Sequence, residues 1–134
     1  MDYPEIIFKH FQKPKNLGAI KNADGIGKEG NPMCGDIMWL YIKVDKRNKD
    51  VLKQKITDIK FQTLGCVVAI AISSILTEIV KGKTIEEVLK INQNDILKKM
   101  ETKLPDNKVH CSFLADKALK NALNDYFKKI NYRI

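Results

Sequence analysis

The chain has 134 residues, 44% of them apolar, a formal net charge of +8, three cysteines and two histidines. That length suits a single domain over residues 1–134 with a real core, and the apolar fraction argues against a disordered chain. No stretch of about 18 apolar residues is present, which excludes a helical membrane span. The lysines are scattered along the chain rather than gathered into a stripe with aromatics, so the charge reads as a solvated surface and no nucleic-acid partner is expected. The opening MDYPEIIFKH lacks a signal-peptide pattern, so the expected location is the cytoplasm. An odd cysteine count in a reducing compartment argues against a disulfide framework.

In chain order, residues 4–12, PEIIFKHFQ, predict a short helix with Pro4 near its first turn, broken by KPKNLG. His10 on this helix reads as structural or exposed. Residues 17–36 are rich in Gly, Asn and Asp and predict a loop with at most a short strand. Residues 37–44, IMWLYIKV, predict a strand with Met38, Leu40, Ile42 and Val44 on one face. After the polar turn DKRNKD, residues 56–64 predict an antiparallel partner strand with Ile59, Phe61 and Thr63 on one side. An apolar helix follows Gly65 and Cys66 to about Lys81, where Gly82 stops it. Thr84 with Glu87 has capping-box spacing before a short helix, and Asn92 caps another. After Pro105 a last helix is expected from about Ser112 to Ile130. Its buried stripe comprises Ala115, Ala118, Leu119, Ala122, Leu123, Tyr126, Phe127 and Ile130. Strands first and helices afterwards predict an α+β fold: a small antiparallel sheet with helices packed on one face.

All three cysteines fall at element boundaries. Cys34 lies in NPMCGD before the first long strand, Cys66 in TLGCVV between strand and helix, and Cys111 in VHCSFL at the expected start of the last helix. Helix N-termini offer N–H groups and a dipole that favour a thiolate, which applies to Cys66 and Cys111. Gly35 and Gly65 leave room for a bulky group. Three thiolates leave a tetrahedral site one ligand short, and Asp36 and His110 are the candidates to complete it. A mixed S, N and O set suits a cluster that must leave again, although it can also hold zinc. The residues alone therefore leave three alternatives open: a metal or cluster site, a reactive thiol without metal, or unrelated cysteines.

Four segments, in order, carry a resemblance: HFQKPKNLG at 10–18, CGD at 34–36, TLGCVVAIAISSILTEIVKGKTIEEV at 63–88 and LPDNKVHCSFLADKAL at 104–119. Together they resemble the IscU/NifU N-terminal domain family, the U-type scaffolds for iron–sulfur cluster assembly. The resemblance implies a scaffold rather than an enzyme. It would receive sulfur from a cysteine desulfurase and iron from a donor, build a transient [2Fe–2S] cluster and pass it to acceptor apoproteins. Cluster-free members often carry zinc. By the same resemblance Cys34, Cys66 and Cys111 hold the nascent cluster, Asp36 governs its release and His110 is an alternative ligand. Leu104, Pro105 and Lys108 match a chaperone-recognition segment.

The sequence departs from the family pattern in three places. Only one proline follows Leu104, which leaves chaperone recognition open. Val67 and Val68 replace small residues after Cys66, and the turn around KRNKDVLKQK is longer. A homodimer sharing a cluster is also left open. The alternative, a zinc-dependent sulfur acceptor of the SufU type, needs a long insertion that the stretch between Cys66 and Cys111 lacks.

Overall fold

The computed structural model describes residues 5–31, 35–100 and 106–133, and all their side chains except those of residues 31 and 106–108. Among these residues the elements run α1 (Glu5–Gln12), β1 (Gly25–Asn31), β2 (Asp36–Asp45), β3 (Lys55–Leu64), α2 (Val67–Val80), α3 (Ile85–Leu89), α4 (Gln93–Lys99) and α5 (Asp106–Lys129). The three strands form one antiparallel sheet in the order β1-β2-β3. This is the α+β architecture expected.

Burial alternates strictly along β2, with Met38, Leu40, Ile42 and Val44 on the covered face. Both long helices pack on that face, α5 across β1 and β2 and α2 against β3. The other face stays open, and there Lys28 lies over the Trp39 ring and Tyr41 donates to Gln62. Between Lys43 and Val44 the pairing slips, so that Lys43 faces Asp58 while Val44 faces Ile56. This bulge lets Ile56 and Ile59, three apart, both enter the core. Thr63 is half-buried and hydrogen-bonds Ser73 of α2.

The helix boundaries follow local chemistry. Thr84 with Glu87 and Asn92 with Asp95 each form a complete capping box for α3 and α4. Gly82, at φ 87°, follows α2 in the left-handed conformation. Helix α2 is apolar nearly all round because α1, β3, α4 and α5 enclose it. No helix among the described residues is long and apolar enough to cross a membrane.

Three expectations need correction. Residues 25–31 are a full strand. Two of the glycines that suggested a loop are there because β1 lies hard against α5: a Cβ on Gly27 would meet Ala118 O at 2.0 Å and Ala122 N at 2.5 Å, and one on Gly25 would meet Ala122 O at 2.3 Å. Helix α5 begins at Asp106 rather than near Ser112, with Asp106 in the first turn, where a carboxylate complements the helix dipole. Ile130 lies beyond the helix end and is 37% exposed, so the buried stripe stops at Phe127.

Helix α1 and the segment after it are fastened to α2 by polar contacts. Ser74 Oγ accepts the Lys15 N–H at 2.7 Å and lies 2.6 Å from His10 Nδ1, while His10 Nε2 faces Glu78 Oε1 at 3.3 Å. With the hydroxyl proton directed at Nδ1, the neutral ring presents its own proton to Glu78. Asn16 donates to Thr77 Oγ1 one turn further on. His10 is therefore structural, as expected.

Two outcomes follow from this packing. Gly27→Ala forces a methyl into helix backbone and should cost at least about 1–3 kcal/mol, read as a lower urea midpoint; an unchanged midpoint would mean the strand–helix contact is not close. Burial holds the His10 pKa below 6.5, against the opposing pull of Glu78. The neutral-ring contribution to stability is therefore complete above that unfolded value and is lost as pH falls through the folded one. Between about pH 7.5 and about pH 5 the parent should lose more stability than His10→Asn, and parallel curves would contradict this.

Candidate metal centre

Asp36 opens β2. It follows Gly35, whose φ of 75° is in the region that favours glycine, and the next residue, Ile37, pairs with Leu64 at the end of β3. That register sets Asp36 beside the Gly65–Cys66 junction. The Asp36 side chain is buried, with only 4% of the residue exposed.

Cys66 is the N-cap of α2, with φ −78° and ψ 173°, and its Sγ accepts the Ala69 N–H at 3.5 Å. A thiol here occupies the position usually held by Ser, Thr, Asp or Asn. The expectation of a helix N-terminus holds for Cys66. It fails for Cys111, which stands in the second turn of α5. Cys111 instead extends the buried stripe one turn before Ala115 and Ala118, at spacings of four and three, and is fully buried. The helix dipole is thus no reason for its placement; packing across the sheet is.

These elements bring four predicted site residues together. Asp36 Oδ2 lies 3.8 Å from Cys111 Sγ and 4.0 Å from Cys66 Sγ. His110 Nε2 lies 3.7 Å from Cys111 Sγ. Ligand atoms of Asp36, His110 and Cys111 all fall within 4.8 Å of one another. His110 and Cys66 are half-buried, whereas Asp36 and Cys111 are buried. Cys34, Leu104 and Pro105 lie outside the described residues. Lys108 lies in α5, and its side chain is not among those described.

The arrangement has a definite electrostatic character. As thiols, both cysteines direct S–H groups at one carboxylate oxygen. As thiolates they would set two more negative charges beside a buried one, which is unfavourable without a compensating cation. The site therefore suits a cation whose binding releases protons. Sulfur, imidazole and carboxylate donors together accept zinc or iron.

Sequence reasoning passed over Gly65 as mere room for a ligand. The structure gives that room to Asp36: a Cβ on Gly65 would lie 2.6 Å from Asp36 Oδ1. A glycine immediately before a helix-capping cysteine was the available signal.

Comparison with known proteins bears on this geometry. The NifU-like N-terminal domain family model matches residues 2–133. The iron–sulfur cluster assembly scaffold protein IscU 1 of Archaeoglobus fulgidus is 53% identical over 127 residues, covering 95% of this chain and 78% of the relative. The iron–sulfur cluster assembly enzyme IscU of Drosophila melanogaster is 47% identical over 127 residues, covering 92% and 77%. Among solved structures, a protein of Fervidobacterium islandicum described as an iron–sulfur cluster assembly scaffold for the SUF system superposes with a TM-score of 0.72 at 28% identity, covering 90% of this chain and 96% of that one.

The N-cap geometry separates two roles of Cys66. In metal-free protein Cys66→Ser keeps a capping oxygen, whereas Cys66→Ala leaves the Ala69 N–H uncapped. The alanine variant should be less stable than the serine one by about 1 kcal/mol; equal urea midpoints would contradict the cap.

Proposed function

The chain belongs to the NifU-like N-terminal domain family, and from that membership we propose that it is a scaffold on which iron–sulfur clusters are assembled and from which they are passed on. One observation carries the proposal to these residues: a buried carboxylate, Asp36, set against the thiols of Cys66 and Cys111 with His110 alongside. Iron and sulfide are the cargo. Cys34, Cys66 and Cys111 supply thiolates to it, and Asp36 or His110 completes the set. The cluster is a transient [2Fe–2S] unit, and zinc takes the same ligands when no cluster is present.

The mixed ligand set explains why such cargo can leave. Thiolates bind iron strongly, while a carboxylate is a harder donor that competes less well for it. Deprotonated and empty, the site is a cluster of like charges, so it favours a cation; protonated, its thiols return to Asp36. Loading and unloading thus exchange metal for protons at fixed side chains, without unfolding the core behind them.

The same reading assigns the partners. Sulfur comes from a cysteine desulfurase, iron from a donor, and the finished cluster goes to acceptor apoproteins. Leu104, Pro105 and Lys108 form the segment for a chaperone, altered by the missing second proline. A second copy of the chain is a candidate to share a cluster, since one copy offers three cysteines. The protein acts as a single-domain carrier rather than an enzyme, and the cytoplasm, which keeps thiols reduced, is its compartment. The zinc-dependent sulfur acceptor is set aside: the curated relatives, up to 53% identical, carry IscU names.

Asp36→Ala tests the release role. The variant should assemble a cluster and pass it to an acceptor apoprotein several-fold more slowly than the parent, measured by the visible absorbance of the acceptor. Transfer at the parental rate would remove Asp36 from the mechanism. Cys111→Ser should fail to assemble a stable cluster, and full assembly by that variant would reject its role.

A further inference from the structure

We infer that Gly65 is the positioning residue for Asp36: the missing β-carbon is what lets the carboxylate lie against the two thiols. Three glycines among the described residues have positive φ, Gly18, Gly35 and Gly82, and Gly65 is not one of them. Backbone conformation therefore does not call for glycine at 65. Space does. A Cβ built there would lie 2.6 Å from Asp36 Oδ1, 2.8 Å from Asp36 Cγ and 3.2 Å from the Ala69 Cβ. Gly35 is the opposite case: its φ is 75°, and an added Cβ would meet nothing within 4 Å.

The two oxygens of Asp36 face different ways. Oδ1 is the atom nearest Gly65, and Oδ2 is the atom near Cys66 and Cys111. The carboxylate thus lies with Gly65 on one side and the thiols on the other. Its burial leaves little room to turn away. A methyl at 65 would collide first with the end of a short side chain, not with backbone. Gly65→Ala should accordingly move the carboxylate while leaving the strand–helix junction in place. The importance of that position for cargo rests on the function proposed for Asp36; the steric coupling does not.

A double-mutant cycle on metal-free protein decides the matter, using the parent, Gly65→Ala, Asp36→Ala and the double variant in urea. Gly65→Ala should lower the midpoint in the parent and lower it little or not at all in the Asp36→Ala background, where the colliding atoms are gone. An equal loss in both backgrounds would overturn the inference. If Gly65→Ala does not fold, recovery of a folded double variant supports the coupling and failure of both overturns it. Zinc affinity, measured against a competing chelator, adds a second readout. Gly65→Ala should weaken it on the order of 10- to 100-fold in the parent, as loss of ligand support does, with no further loss in the Asp36→Ala background. If Asp36→Ala alone leaves zinc affinity unchanged, the ligand role proposed for Asp36 fails while the midpoint coupling still judges the role of Gly65.

Discussion

The pairing of Ile37 with Leu64 is the contact on which the site depends. It joins the second residue of β2 to the last residue of β3, so the residue before Ile37 and the residues after Leu64 must be neighbours. Asp36 is the former; Gly65 and Cys66 are the latter. A slip of one residue would turn Asp36 to the open face and Met38, Leu40, Ile42 and Val44 out of the core with it. The burial of four large side chains therefore protects the placement of one carboxylate. The second coordinate comes from α5. Its contact with Gly25 and Gly27 through Ala118 and Ala122 holds it close to β1, and Cys111 follows two turns back along the same buried stripe.

The site this produces is a compromise between burial and charge. Asp36 is covered by protein, yet it faces two thiols, which would have to become anionic to hold a metal. Elsewhere the fold avoids such conflicts: no buried side-chain nitrogen or oxygen among the described residues lacks a partner. The crowding of acidic groups lies at the junction of β2, α2 and α5, where, on the function proposed, a bound cation would relieve it. A holder that must also release would be served by donors that are preorganised yet only weakly bonded to one another, and the long S···O separations of 3.8 and 4.0 Å fit that description.

Much of this was legible in the residues. The alternation of β2, the capping spacings at Thr84 and Asn92, the stop at Gly82 and the N-cap position of Cys66 are local signals, and the structure keeps each. What escaped depends on contacts far apart in sequence. Residues 25–31 carry glycines that read as a loop until α5 is laid against them. The start of α5 lies six residues before the one expected, because the Asp-Asn-Lys that follows Pro105 carries no apolar residue to extend the stripe. Extending the stripe back from Ala118 and Ala115 by four more residues reaches Cys111 and would have found the earlier turn. Gly65 was recognised as space, but only the sheet register says whose space it is.

The most direct test of the account is iron and acid-labile sulfide per chain after anaerobic reconstitution with a cysteine desulfurase, cysteine and ferrous iron. The account predicts iron and sulfide in equal amounts, about two of each per cluster, in the parent and in neither Cys66→Ser nor Cys111→Ser. Iron or zinc bound with no sulfide in the parent, or equal loading in the cysteine variants, would contradict a cluster scaffold built on these residues.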